Sequence, residues 1–407
     1  MTMPPELRPA ALAALRYYDR NLPLAPAETP SGAAMLSGAP LLGELTDEQV
    51  PAELLSPLGA GLINQTFLVD TAALGLVPPV RAVLQRVNPL FGFAVHEDIA
   101  AITRHLQARG MPTPLLYPTR DGTPAVDLGP GGVWRLMTLM PGQTFARVDP
   151  PLAYAAGRLV ARFHRSLLDL AHRFRFTRPG AHDLGRHLAT LRAAVARAPT
   201  VASLPADFLP LASEILARCG ELPLDFAGPL RLCHGDLKIS NLLFVPERAT
   251  GADGAAGLVG HCLVDLDTLC HLQLGLELGD ALRSWCNPYD ENNPDGRFDL
   301  ERFTAALTGY AVDGAALVTP AEPQLFLTGT LRVALQLAAR FAADVVNQSY
   351  FGWDPTRFKD RAEHNFVRAR GQLSLARSLS DQRAAAAAVV AGLFPAADGP
   401  APPAQPL

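Results

Sequence analysis

The stretch His234-Gly235-Asp236-Leu237-Lys238-Ile239-Ser240-Asn241 decides how the rest of the chain is read. It runs on through Leu242-Leu243-Phe244-Val245 and, after a Gly/Ala-rich turn, into Leu263-Val264-Asp265-Leu266-Asp267. The spacing suits phosphoryl transfer. An Asp on a tight loop accepts the proton of an attacking hydroxyl, an Asn five residues later points at Mg²⁺, and an Asp from the far strand of a hairpin completes the metal site. Taken singly, such residues are ordinary turn formers. Here they stand at the ends of short apolar runs, 242–245 and 262–264, as expected where buried strands deliver polar groups to one edge. Asp236 is therefore read as the catalytic base that meets the acceptor. Asn241, Asp265 and Asp267 are read as the metal set, although only one of the two late carboxylates need touch the ion. His234 is read as a support that hydrogen-bonds the loop into shape.

Upstream, Gly59-Ala60-Gly61-Leu62-Ile63-Asn64-Gln65-Thr66-Phe67 lies between two strand-like segments, where a phosphate-covering loop belongs. Gly59 and Gly61 allow close backbone approach to phosphate oxygens, Asn64 takes the place of a third glycine, and Thr66 follows at the loop's exit. A protein kinase places a Lys on the next strand to hold the phosphates. No lysine precedes Lys238 in this chain. Arg86, at the end of Arg81-Ala82-Val83-Leu84-Gln85-Arg86, is the expected substitute ahead of Arg81, with Glu97 to orient it, a solvent-facing strand residue being the alternative. Further on, Met137-Thr138-Leu139-Met140-Pro141-Gly142 breaks the strand pattern. Thr138 and Met140 are expected to flank an adenine ring there, an ordinary strand end being the alternative.

Around these motifs the pattern is strand, strand, helix, strand, strand: 58–69, 80–87, 97–109, 115–118 and 133–139. Helical segments follow at 151–170, 184–196, 206–219, 300–310, 324–346 and 364–378. The fold class expected is α+β and bilobal, protein-kinase-like, with a small β-rich N-terminal lobe over residues 51–139 and a larger, mainly helical catalytic and acceptor lobe over 140–380. Residues 1–50 are expected to be an N-terminal extension and 381–407 a flexible tail, because an Ala run at 384–388 leads into Pro/Gly-rich sequence.

At 407 residues and 49% hydrophobic content the chain is long enough for a large core. A net charge of −4 argues against a nucleic-acid surface. Five cysteines form no C-x-x-C pair, which suits a reducing, cytoplasmic setting. No signal peptide or run of roughly 20 apolar residues is read, so no membrane partner is expected.

The chain resembles the aminoglycoside phosphotransferase superfamily, and within it the N-acetylhexosamine 1-kinase group. The motifs that carry the likeness are Gly61 through Phe67, Leu84-Gln85-Arg86-Val87-Asn88, His234 through Asn241, Val264-Asp265-Leu266-Asp267-Thr268, Gly279-Asp280-Ala281-Leu282-Arg283-Ser284, Arg340-Phe341 and Tyr350-Phe351. The resemblance implies dependence on ATP and Mg²⁺, and phosphorylation of a sugar or amino sugar at its anomeric hydroxyl. It makes Asp280, Arg340 and Tyr350 the acceptor-side candidates. The spacing around Tyr350 departs from the group, and Gly235 stands where some relatives have Asn. An antibiotic phosphotransferase and a non-catalytic pseudokinase are the competing readings. The first would require a strongly acidic acceptor cleft, which the sequence does not show; the second commonly loses the base or a metal ligand, and all three remain.

Overall fold

Alternating apolar residues in three strands build one covered face of an antiparallel sheet. The strands belong to a computed structural model that describes residues 3–20, 22, 40–59, 64–178, 180–201, 203–247 and 257–395. The chain divides into two compact units.

The first unit comprises residues 1–143, 169–179 and 261–269. It opens with α1 (Arg8–Leu15) and holds β1 (Leu55–Pro57), β2 (Gln65–Asp70), β3 (Arg81–Arg86), helix α2 (Val95–Ala108), β4 (Val126–Asp127) and β5 (Val133–Thr138). The five strands pair in the order β1-β2-β3-β5-β4. Phe67, Leu84 and Leu136 stand opposite one another across the three middle strands, and all three are buried. Ala11, Leu12, Leu15, Tyr18, Leu41 and Leu42 pack against them in the same core, and the Tyr18 hydroxyl accepts the Leu136 N–H at 3.2 Å. The chain's first residues thus cover the sheet. Each large side chain buried there contributes roughly 1.5–3 kcal/mol. One residue along, the neighbouring row Thr66, Gln85 and Arg135 projects from the opposite face, because strand side chains alternate.

Segment 169–178 also belongs to this unit. The buried Asp98 of α2 accepts from His172 Nε2 at 2.9 Å, from the Arg175 N–H at 3.0 Å and from the Phe176 N–H at 2.9 Å.

The second unit comprises residues 144–168, 180–260 and 270–407. Helices α3 (Pro150–Ser166), α4 (Leu184–Arg197) and α5 (Phe208–Gly220) lead to β6 (Leu230–Cys233) and β7 (Leu242–Pro246). Strand β8 (Leu258–Leu263) pairs with β7, and β9 (Cys270–Gln273) pairs antiparallel with β6. Helices α6 (Leu274–Trp285), α7 (Leu300–Gly314), α8 (Pro323–Asn347), α9 (Arg361–Asp381) and α10 (Arg383–Leu393) follow. By length and composition α8 could cross a bilayer, contrary to the sequence reading, but 72% of its most apolar window is buried inside the protein. It is a core helix.

The structure differs from the sequence reading at four places. Of the strand expected over 58–69, residues 65–69 are strand and 58, 59 and 64 are not, while 60–63 lie outside the described residues. That expected over 115–118 reduces to a single bridge between Leu116 and Met137, the pairing with β5 being made by Val126 and Asp127. The first part of the tail is the helix α10, which buries Ala386 and Val390 and sets Phe394 edge-on against Phe326. Finally, α6 was not expected as a helix. Its Leu274-Gly275-Leu276-Glu277-Leu278-Gly279 reads as alternation broken by glycines. The glycines instead let α6 press against α8, since a Cβ at Gly279 would meet the Gly329 backbone and one at Gly329 the Gly275 carbonyl.

Candidate active site

In the second unit the loop between β6 and β7 carries Asp236 and Asn241. The Asn241 Nδ2 donates to the Asp236 carbonyl at 2.9 Å and to Asp236 Oδ2 at 3.1 Å. Lys238 Nζ lies 2.9 Å from the same Oδ2. Burial opposes ionisation of Asp236, yet the Lys238 ammonium, aided by Arg283, holds its carboxyl below the usual range. The result is a half-buried, ionised carboxylate. The Asp236 N–H donates to His234 Nδ1 at 3.3 Å, so His234 shapes the loop as expected from the sequence.

Two acids one helical turn apart on α6 clamp this loop from below. Glu277, fully buried, accepts the His234 N–H at 2.8 Å through Oε1 and the Gly235 N–H at 3.0 Å through Oε2. Burial opposes its ionisation, but His164 holds the carboxyl below its ordinary value. Asp280 accepts the Leu237 N–H at 3.0 Å through Oδ2 and Arg283 at 2.8 Å through Oδ1. Arg283 also reaches Glu291 at 3.1 Å. The loop around Asp236 is therefore fixed by backbone amides donating to carboxylates, the strong kind of hydrogen bond. Asp280, an acceptor-side candidate by sequence, thus lies beside the base with both oxygens engaged by protein.

The other acceptor-side candidates sit at the end of α8. Asp344 accepts from the backbone N–H groups of Ser349, Tyr350 and Phe351 at 2.9–3.1 Å, building the turn that presents Tyr350. The Arg340 guanidinium lies 5.3 Å from the Tyr350 ring centroid, within cation–π range, and Tyr350 is 48% exposed. Trp353 is 36% exposed. Burial disfavours protonation of His182.

In the first unit, Asn64 and Asp267 meet directly, Asn64 Nδ2 donating to Asp267 Oδ2 at 2.6 Å. Asn64 Oδ1 accepts the Asn88 N–H at 2.9 Å. Thr66 Oγ1 accepts from Gln85 Nε2 at 3.0 Å. Gly59 has a φ of +74°, the left-handed region that glycine enters freely; Gly61 lies outside the described residues. Thr138 Oγ1 accepts the Leu115 N–H at 2.9 Å and touches Met140 Sδ at 3.7 Å. Asp265 is also left-handed, at φ +62°, an uncommon state for a residue with a Cβ.

Two sequence assignments meet a different arrangement. Arg86 donates from Nε to the Gly131 carbonyl at 3.2 Å and from NH1 to Gln65 Oε1 at 3.2 Å, so its charge lies along the sheet. The buried cation is Arg135, 1% exposed. It pairs with both carboxylate oxygens of Asp267, at 2.9 Å for NH2 to Oδ2, and with Gln85 at 2.7 and 2.9 Å. The sequence makes Asp267 a metal candidate; in the structure its oxygens accept from Arg135 and Asn64. Burial opposes ionisation of Asp267, but Arg135, together with the Asn64 hydrogen bond, holds its carboxyl below the usual range. Breaking a buried pair of this kind by removing one partner costs about 3–5 kcal/mol. Burial, with Arg135 nearby, also pushes the His96 pKa down to about 4, so this imidazole is neutral.

Sequence reasoning missed Lys238, Glu277 and Arg135, which the structure places beside the candidate residues. A signal existed for Lys238, one of two lysines in the chain and two residues after the proposed base. Because Lys238 holds down the pKa of Asp236, Lys238→Met should move the acid limb of the kcat/KM profile to higher pH. A limb at the wild-type pH would show that Lys238 does not govern this carboxylate.

Comparisons with known proteins bear on the family and on the fold. A family model described as APH, phosphotransferase enzyme family, matches residues 55–313. The homoserine kinase of Allorhizobium ampelinum is 27% identical over 274 residues, 66% of this chain and 74% of that protein. That of Afipia carboxidovorans is 28% identical over 240 residues, 59% and 62% of the two chains. Among solved structures, an amicoumacin kinase in complex with AMP-PNP, Ca²⁺ and Ami is 13% identical, with 81% and 89% coverage and a TM-score of 0.50. An aminoglycoside phosphotransferase from Alicyclobacillus acidocaldarius is 16% identical, with 81% and 92% coverage and a TM-score of 0.51. These two likenesses carry the fold, which is kinase-like.

Proposed function

The chain belongs to the APH phosphotransferase enzyme family, and from that premise we propose that it transfers the γ-phosphoryl group of ATP to a hydroxyl of a small polar acceptor. The observation that carries this reading is the ionised Asp236 carboxylate on a loop clamped by Glu277 and Asp280. In such a reaction most of the rate comes from positioning and from charge stabilisation, and little from covalent chemistry. Asp236 orients the acceptor hydroxyl and takes its proton.

The residue types that the sequence motif supplies, an amide oxygen and a carboxylate, are those a hard divalent cation takes. Asn241 commits its Nδ2 to Asp236, which turns its amide oxygen into the available acceptor, and Asp265 supplies a carboxylate; oxygen ligands of this kind suit Mg²⁺. When bound, the ion would neutralise phosphate charge. Asn241 and Asp265 are proposed to hold it. Gly59, Gly61, Asn64 and Thr66 are proposed to face the phosphates, and Thr138 and Met140 the base.

For the acceptor we propose a monosaccharide or N-acetylhexosamine, phosphorylated at the anomeric hydroxyl. The motifs at 279–284, 340–341 and 350–351 support it, as does the exposed Tyr350 ring, a flat surface on which a sugar face can stack. A second reading is a hydroxy amino acid, favoured by the relatives named homoserine kinase; Arg340 would then serve a carboxylate. A panel of free sugars, methyl glycosides, homoserine and kanamycin-like amines in an ADP-release assay separates them. Free sugars should turn over and their methyl glycosides should not, because the nucleophile is gone. Turnover of homoserine with sugars inert would replace the sugar reading by the second one.

A further inference from the structure

β3 carries no lysine, and the position across from Gln85 on the neighbouring strand is Arg135. This guanidinium is buried and fully directed: Nε and NH2 donate to Gln85, NH1 and NH2 to Asp267. Asp267 stands two residues after Asp265, inside a short 3₁₀ turn, Leu266–Thr268. Its remaining contact is Asn64, whose own oxygen is tied to the Asn88 backbone. One cation therefore links β3, β5, the turn that carries Asp265, and the residue that closes the 59–64 loop. Arg86, by contrast, is spent on Gly131 and Gln65.

We propose that Arg135 is a positioning residue of the phosphotransfer site: by gripping Asp267 it holds Asp265 in its left-handed conformation and fixes the end of the glycine loop against the same turn. The inference rests on the reading of Asp265 as a metal ligand. A planar, always charged fork is required, because a single hydrogen-bond donor cannot engage both carboxylate oxygens and Gln85 together. Asp267 is then the counter-ion that keeps the fork aimed. Both act on the metal and the phosphates through other residues.

A charge-neutral double variant tests this. Replacing a buried ion pair by apolar residues is often neutral or stabilising for the fold, so Arg135→Met/Asp267→Leu in the full chain should unfold cooperatively at or above the wild-type midpoint. Its Mg²⁺-dependent binding of ATP, read by calorimetry, should nevertheless weaken by about 10- to 100-fold, the usual cost of losing a group that orients a metal ligand. Arg135→Lys keeps the charge and loses the fork; it should weaken the same binding by about tenfold. Should the double variant fail to fold, this second one decides. Folded variants that bind Mg·ATP as wild type does would reduce the pair to a purely structural role and overturn the proposal. Wild-type protein that binds ATP with no Mg²⁺ dependence would remove the metal reading, and this inference with it.

Discussion

Asp236→Asn should lower kcat by about 10²- to 10⁴-fold, the range expected when a positioned general base is removed, while leaving the affinity for ATP close to that of wild type. The asymmetry follows from where the carboxylate is held. Its Oδ2 faces Lys238 and Asn241 at 2.9 and 3.1 Å, and its backbone is fixed by His234, so the substitution leaves the loop's scaffold in place. What it removes is the basic oxygen, and with it the preferred orientation of the acceptor hydroxyl. Single-turnover kinetics with saturating ATP measure the effect. A kcat within about threefold of wild type would exclude Asp236 as the base on the same scale.

Glu277→Ala should have a large effect on stability. The carboxylate is inaccessible to solvent and is the partner of two backbone donors, His234 and Gly235. Truncation leaves both N–H groups buried and unpaired, at about 1–3 kcal/mol each. A loss of about 2–5 kcal/mol in chemical denaturation is expected, with catalysis falling alongside because the loop that carries Asp236 is released. Glu277→Gln keeps one acceptor and should lose less. The pH dependence has a definite sign. Since the folded-state pKa of Glu277 is depressed, its stabilisation is present above the unfolded-state value and is lost as pH falls through the folded-state one. The stability gap between wild type and Glu277→Gln should therefore be full near neutrality and close on acidification. A gap independent of pH would mean that the charge of Glu277 does no more than the amide can.

The loop between β6 and β7 was legible because its motif is local. His234 through Asn241 sit within one turn and a strand end, so eight residues of sequence carry the whole spacing. The strands 81–86 and 133–138 and most long helices were legible for a similar reason, since their periodicity is a property of each segment alone. Helix α6 was not: the glycines that make 274–279 look broken are what allow it to pack on Gly329, about 50 residues downstream. Arg135 reads as one polar residue in an apolar strand run, and nothing nearby announces a partner. Its partner Asp267 lies 132 residues further on. Glu277 is hidden in the same way from His234, 43 residues before it. Buried polar groups need partners, so each of these acids and bases predicts that a partner exists; only the fold says which one.

Phosphorus NMR of the purified protein with ATP, Mg²⁺ and a mixture of free hexoses, N-acetylhexosamines and homoserine tests the central claim most directly. The account predicts that the γ-phosphate signal of ATP declines as a phosphomonoester signal and ADP appear together, and that Asp236→Asn abolishes the change under the same conditions. ATP left intact by folded wild-type protein across the acceptor panel, or phosphomonoester formed equally fast by Asp236→Asn, would contradict it.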